Sequence, residues 1–250
     1  MTTATQSQTS TSRRPAQWQR ATKIQLQVLM GRALWFFAMA TVFVALAIVT
    51  ISQFIDLQMS VAQFAYQGTL WFQFAMMITV FVWYSTVHVT NGLTRRSLVI
   101  GSLLAGAGSA LFYAVAITVM LLVERWVYSA FGWSHGLTDL NGEVFANGWL
   151  PYLWGAVLIF IAGNLSGLLI AATYYRVGGW RGTLWLPLTI SPLPLMSFFV
   201  LDAATQWTPF EVTVDAAGAL RPLIALAIVA AASYAYYLLV RRMPIRAQTT

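Results

Sequence analysis

Long apolar stretches without charged residues alternate with short charged segments along the whole chain. Six of these stretches occur, at residues 33–55, 69–90, 98–123, 150–175, 183–201 and 222–240. A helix needs about 20 apolar residues to cross the roughly 30 Å hydrocarbon core of a bilayer. The pattern therefore predicts six transmembrane helices.

The charged residues between these stretches are sorted by sign. All acidic residues follow an odd-numbered stretch, at Asp56, Glu124, Asp139, Glu143, Asp202, Glu211 and Asp215. Twelve of the 14 basic residues precede the first stretch or follow an even-numbered one, at Arg13, Arg14, Arg20, Lys23, Arg32, Arg95, Arg96, Arg176, Arg181, Arg241, Arg242 and Arg246. Because positive charge beside a span is retained in the cytoplasm, both termini are predicted to be cytoplasmic.

The composition excludes a water-soluble protein. Hydrophobic residues make up 59% of the chain and charged residues 8%, against about 25% charged residues in soluble domains. The net charge of +7 is explained by cytoplasmic loops that face an anionic leaflet, so no nucleic-acid partner is expected. The basic residues are almost all arginine, which is typical of a GC-rich genome, and the predicted location is a bacterial plasma membrane.

The predicted fold class is an all-α polytopic membrane protein with six transmembrane helices. Residues 1–15 are polar and are expected to form a disordered cytoplasmic tail. Residues 16–32 mix basic, glutamine and apolar positions, and they predict an interfacial helix on the cytoplasmic leaflet. The six-helix domain is expected at residues 33–240 and a second cytoplasmic tail at residues 241–250.

Groups that could perform catalysis or bind a metal are scarce in this sequence. There is no cysteine, and the two histidines, His88 and His135, have no partner at metal-ligand spacing. No phosphate-binding loop motif is present. The chain is therefore predicted not to be an enzyme, to have no catalytic or metal site, and to bind no cofactor itself.

Polar residues inside the apolar stretches are candidates for a translocation path, and one of them, His88, is ionisable. They are Gln73, Ser85, His88, Asn164 and Ser191. Hydrogen bonding between helices is the alternative reading of these side chains. Three prolines in the fifth stretch, Pro187, Pro192 and Pro194, predict a kinked or broken helix, because each removes a backbone donor.

The segment HVTNGLTRRSLVIGSLLAG at residues 88–106 resembles the permeases of type-2 ABC exporters. In that family a Gly-x-Ser/Thr-Arg-Arg/Lys turn precedes a span that opens with glycine. The matching residues here are Gly92, Thr94, Arg95, Arg96 and Gly101. The six-span layout and the segment before the first span are also similar to that family.

The resemblance implies that a cytoplasmic elbow couples this chain to a separate ATPase subunit. The implied coupling residues are Asn91, Gly92, Leu93, Thr94, Arg95 and Arg96. It further implies a second permease copy, with ATP and magnesium used by the ATPase partner, and export of an apolar or amphipathic cargo. Two alternatives stay open: a membrane-embedded immunity, sensor or binding protein without transport, and a passive channel.

Overall fold

The computed structural model describes residues 16–54, 60–92, 94–133, 138–139, 142–143, 145, 148–199 and 220–243. The predicted tail at 1–15, most of the one at 241–250, Leu93 and the side chain of His88 lie outside this part of the chain. The helices and strands are α1 (Gln17–Ile51), α2 (Ala62–Thr90), α3 (Arg95–Phe131), β1 (Thr138–Asp139), β2 (Gly142–Glu143), α4 (Trp149–Val177), α5 (Gly179–Leu184), α6 (Leu186–Ile190), α7 (Pro192–Phe199) and α8 (Arg221–Arg241).

The described part of the chain is a helical bundle with one short antiparallel hairpin, in which β1 pairs with β2. Four helices, α1, α3, α4 and α8, are long and apolar enough to cross a membrane. The prediction of a helical fold with several apolar helices of membrane-spanning length is therefore confirmed for the described residues. The number of six spans and the location of both termini stay predictions.

Helix α4 forms the centre of the bundle. Most of its apolar surface is covered, since 83% of its membrane-length window is buried, against 6% for α1 at the periphery. It packs on α2, α3, α8 and the short helices α5 to α7. The uncovered apolar side chains of α1, such as Trp35 and Phe43 at 75% and 72% exposure, suit contact with lipid.

Contacts between side chains fix the directions of the helices. Glu124 near the end of α3 contacts Ser60 at the start of α2, and Gln73 contacts Ser109 further along both helices. Helices α2 and α3 are therefore antiparallel, and α2 and α4 are parallel because Gly163 approaches Leu70 and Gly167 approaches Phe74.

One end of the bundle consequently collects the start of α1, the α2–α3 connection, the end of α4 and the end of α8. We call this the basic end, since Arg20, Arg95, Arg176 and Arg241 lie near it. The opposite end holds Glu124. Among the described helices, most arginines therefore lie at one end of the bundle and Glu124 lies at the other.

The segment 16–32, predicted as a separate interfacial helix, is continuous with the first apolar stretch. Helix α1 has 35 residues, or about 50 Å at 1.5 Å per residue, which exceeds the hydrocarbon thickness. Its exposed side chains change from a mixture of polar and apolar residues, such as Arg20, Lys23 and Ile24, to mainly apolar residues from Leu34 onward. No proline interrupts it, so no bend is required at residue 32, and the location of this half at the leaflet surface stays a prediction.

The fifth apolar stretch is divided into three short helices. Interruptions occur at Trp185 and Ser191, directly before Leu186–Ile190 and Pro192–Phe199. Pro187 lies in the first turn of α6, and Pro192 is the first residue of α7. Proline is tolerated at these positions because the first N–H groups of a helix have no partner within the helix.

Candidate functional site

The connection between α2 and α3 is short and has defined geometry. The side-chain and backbone nitrogens of Asn91 both donate to the carbonyl of Val87, at 2.7 and 3.2 Å. Gly92 has a φ of 71°, a left-handed conformation that glycine adopts without steric cost. The hydroxyl of Thr94 accepts from the Ser97 nitrogen at 3.3 Å and caps α3.

Two hydrogen bonds tie this connection to other helices at the basic end. The backbone nitrogen of Thr94 donates to the side-chain oxygen of Gln17 in α1, at 3.2 Å. The guanidinium of Arg95 donates to the carbonyl of Arg241 at the end of α8, at 2.9 Å. The connection therefore joins the ends of four helices, α1, α2, α3 and α8.

The two arginines of the motif have different surroundings. Arg95 is half-buried and satisfies a terminal carbonyl of α8, where a cation is favoured by the helix dipole. Arg96 is exposed. Both occupy the first turn of α3, where positive charge is unfavourable for the helix itself and no acidic residue compensates it.

The structure joins two of the predicted path residues in one buried cluster. The side-chain nitrogen of Asn164 in α4 donates to the Gly106 carbonyl at 2.8 Å and to the Ser109 hydroxyl at 3.1 Å. The side-chain nitrogen of Gln73 in α2 donates to the same Ser109 hydroxyl at 3.3 Å. We call Gln73, Ser109 and Asn164 the amide cluster; each of its side chains is at most 2% exposed.

The amide cluster links α2, α3 and α4 at the middle of the bundle. Ser109 donates in turn to Gly106, at 3.0 Å, so each of the three side chains donates to an acceptor on α3. The side-chain oxygens of Gln73 and Asn164 have no hydrogen-bond partner among the described residues. As arranged here, the cluster is an interhelical contact and does not line an open passage.

Ser85 and Ser191 are not part of this cluster, and the side chain of His88 lies outside the described part of the chain. The Ser85 hydroxyl is buried and donates to Val82 in its own helix, at 3.3 Å. The Ser191 hydroxyl donates to Leu188 at 2.7 Å. That carbonyl would pair with the nitrogen of residue 192 in a regular helix, and residue 192 is proline. The Ser191 hydroxyl therefore supplies the donor that Pro192 lacks.

One buried ionisable residue was not among the candidates from sequence. Glu124 is 4% exposed and binds the start of α2 through Ser60 and the nitrogens of Val61 and Ala62. A sequence signal for it does exist. Ile117, Leu121, Glu124 and Tyr128 are all buried at the i, i+4, i+7, i+11 spacing of one helical face.

In the part of the chain that the structure describes, no cluster of three or more His, Asp or Glu side chains could hold a metal ion. The expectation that the chain binds no cofactor itself stays a prediction.

Comparison with known proteins identifies no relative. No protein-family model matches the sequence, and neither a curated protein nor a solved structure is matched by the chain.

Proposed function

We propose that this protein is the transmembrane permease subunit of an ATP-driven ABC exporter in a bacterial plasma membrane. Two copies of the chain would pair, and each would bind a cytoplasmic ATPase subunit. ATP and magnesium would be bound by that partner and not by this chain. The cargo would be apolar or amphipathic, such as a drug, lipid, peptide or natural product, because the six apolar stretches contain no Asp, Glu, Lys or Arg.

The observation that carries the proposal is the construction of the α2–α3 connection at residues 91–94. It is short and lies at the basic end. Its Thr94 is bonded to Gln17 of α1, and Arg95, the first residue of α3 directly after it, is bonded to Arg241 of α8. A force applied here would act on four helix ends together. This mechanical property is what a coupling element needs.

The different surroundings of the two arginines suggest a division of roles. Arg95 stabilises the end of α8, because its guanidinium is bonded to the Arg241 carbonyl inside the same chain. Arg96 is exposed and is available to an acidic surface of an ATPase subunit. In this proposal Arg96 contacts the partner, while Arg95 transmits its movement to α8.

The amide cluster favours a transporter that changes conformation over a permanently open channel. A channel needs polar side chains that face water along its length. Gln73, Ser109 and Asn164 are instead buried and bonded to each other. For these residues to face a cargo, α2 and α4 would have to move relative to α3, and ATP binding by the partner would drive that movement.

The proposal is tested by purifying the tagged full-length chain from its native membranes and measuring ATP hydrolysis in the purified complex. We expect an ATPase subunit to co-purify, and we expect Arg96→Ala to reduce its association about 10-fold or more, as for loss of a charged contact of roughly 1.4 kcal/mol. Arg125→Ala is the matched control, because Arg125 is exposed at the opposite end and should have no effect.

Other outcomes would favour other functions. If Arg95→Ala/Arg96→Ala leaves both association and ATP turnover intact, the coupling role is wrong. If solute flux occurs in liposomes without an ATPase or ATP, the chain is a passive channel. If neither an ATPase nor flux is found, an immunity, sensor or binding role without transport would account for the chain better.

A further inference from the structure

The start of α2 has all four of its first backbone N–H groups paired. The nitrogens of Val61 and Ala62 donate to one carboxylate oxygen of Glu124, at 2.8 and 2.9 Å. Gln63 donates to the Ser60 hydroxyl at 3.0 Å, and Phe64 donates to the Val61 carbonyl at 3.2 Å. A helix leaves these four groups without partners of its own, and here another helix supplies the acceptor for two of them.

Glu124 is held in this position by a buried environment. Its second carboxylate oxygen accepts from the Ser60 hydroxyl, and Ser60, Ala62 and Tyr128 around it are each at most 2% exposed. The positive end of the α2 dipole favours a negative charge at this place. A carboxylate with these three donors is a strong contact between α2 and α3, since charge-assisted hydrogen bonds are stronger than neutral ones.

The contact between Glu124 and α2 lies at the end of α2 that is far from the α2–α3 connection. At the basic end, the short connection at 91–94 joins α2 directly to α3. Between the two ends, α2 packs more extensively on α4 than on α3, with close approaches at Gly163 and Gly167. Gln73 bonds the middle of α2 to Ser109 of α3, and Glu124 is the polar contact that holds the far end of α2 against α3.

We propose that Glu124 is a releasable latch that keeps the far end of α2 on α3. Release of the far end requires that one side chain leave the start of α2, where water can replace the carboxylate oxygen as acceptor, while the Gln73–Ser109 bond keeps the middle of the two helices together. The apolar packing between α2 and α4 is kept. The proposal does not rest on the ATPase partner, because it concerns the movement of two helices within one chain.

The latch is tested by spin-label distance measurements on the full-length protein in lipid nanodiscs. The chain has no cysteine, so introduced cysteines are the only labelled sites. One pair, Phe64→Cys and Trp126→Cys, reports on the latch end, and both residues are exposed, at 71% each. A second pair, Val87→Cys and Leu104→Cys, reports on the same two helices towards the basic end.

We expect one short-distance population for the latch pair in the parent protein. In Glu124→Ala that population should be replaced by a longer and broader one, while the basic-end pair stays unchanged. Glu124→Gln should keep most of the short population because its amide oxygen can still accept from both backbone nitrogens. Ser129→Ala, which removes an exposed hydroxyl bonded within α3, is the matched control and should behave as the parent.

Two results would overturn the proposal. If Glu124→Ala leaves the latch pair at the parent distance, Glu124 does not hold the end of α2. If Glu124→Ala changes both pairs alike, the residue supports the whole bundle and is not a local latch.

Discussion

The hydroxyl of Ser166 in α4 donates a hydrogen bond to the backbone carbonyl of Ile190, 3.2 Å away. In a regular helix the Ile190 carbonyl would accept from the nitrogen of residue 194, which is a proline without an N–H. Ser166 therefore satisfies, from the neighbouring helix, an acceptor that the interrupted fifth segment cannot satisfy itself. Backbone breaks in a membrane need this kind of compensation because lipid offers no donors.

Replacing Ser166 by alanine is expected to destabilise the protein by about 1–2 kcal/mol, because the Ile190 carbonyl becomes a buried acceptor without a partner. Thermal unfolding in detergent measures the change. Ser197→Ala is the matched control, since the Ser197 hydroxyl bonds the Leu193 carbonyl within its own helix.

Pro194→Ala in the Ser166→Ala background should recover most of the lost stability by supplying the missing N–H. Equal losses for Ser166→Ala and Ser197→Ala would contradict this account.

The charged residues that bound the apolar stretches do not coincide with the ends of the helices. The third apolar stretch ends at residue 123, because Glu124 and Arg125 follow. Helix α3, however, continues to Phe131, and the backbone then leaves the helix at Gly132, whose φ is 68°. Charged residues bound the part of the chain that can lie in hydrocarbon, whereas a helix ends where the backbone leaves the helical conformation. The same distinction explains why α1 begins at Gln17 and not at residue 33.

The contacts of the candidate site could be predicted only in part. Asn164 and Gln73 are conspicuous because amides are costly in lipid, and the structure brings them together. The role of Glu124 depends on Ser60, which is distant in the sequence, and no local pattern encodes that contact. The buried face of α3 indicates that Glu124 points inward. Its partner, Ser60, can be identified only from the tertiary structure.

Gly101 allows α1 and α3 to pack closely at the basic end. A Cβ atom at this position would lie 2.6 Å from the Ala21 Cβ and 3.2 Å from the Thr22 nitrogen. Gly101→Ala is therefore expected to destabilise the protein by about 1–3 kcal/mol through overpacking. Gly68→Ala is the control, because open space surrounds Gly68, and it should be neutral or slightly stabilising as alanine favours a helix.

Thermal unfolding of both glycine variants provides the measurement. Ala21→Gly should partly rescue Gly101→Ala, since it removes the nearest of the clashing atoms. If Gly101→Ala unfolds at the same temperature as Gly68→Ala, α1 and α3 do not approach each other closely at Gly101.

The predicted topology requires the α2–α3 connection to face the cytoplasm. Asn91→Cys, which is exposed, should react with a membrane-impermeant maleimide only after the cells are permeabilised. Ser129→Cys, also exposed but at the opposite end, should react in intact cells. Labelling at residue 91 from outside the cell would reverse the orientation and remove the basis for coupling to a cytoplasmic ATPase.

Asn164 provides the sharpest test of whether the amide cluster is a sealed contact or part of a hydrated path. Its side-chain nitrogen donates to Gly106 and Ser109, and Asn164→Asp would replace that donor by an oxygen facing two acceptors. In a sealed cluster the aspartate would have to be buried, either as an uncompensated charge or as a protonated acid. We expect a loss of several kcal/mol and little folded protein by size-exclusion chromatography.

Asn164→Leu should be tolerated far better in a sealed cluster, because it places no charge there and Gly106 keeps the bond from Ser109. Its expected loss is close to the roughly 0.6 kcal/mol average for an interhelical hydrogen bond in a membrane. A hydrated path predicts the opposite order, since water would solvate an aspartate and leucine would obstruct polar contacts. Asn164→Asp folding as well as Asn164→Leu would therefore show that the cluster opens to water.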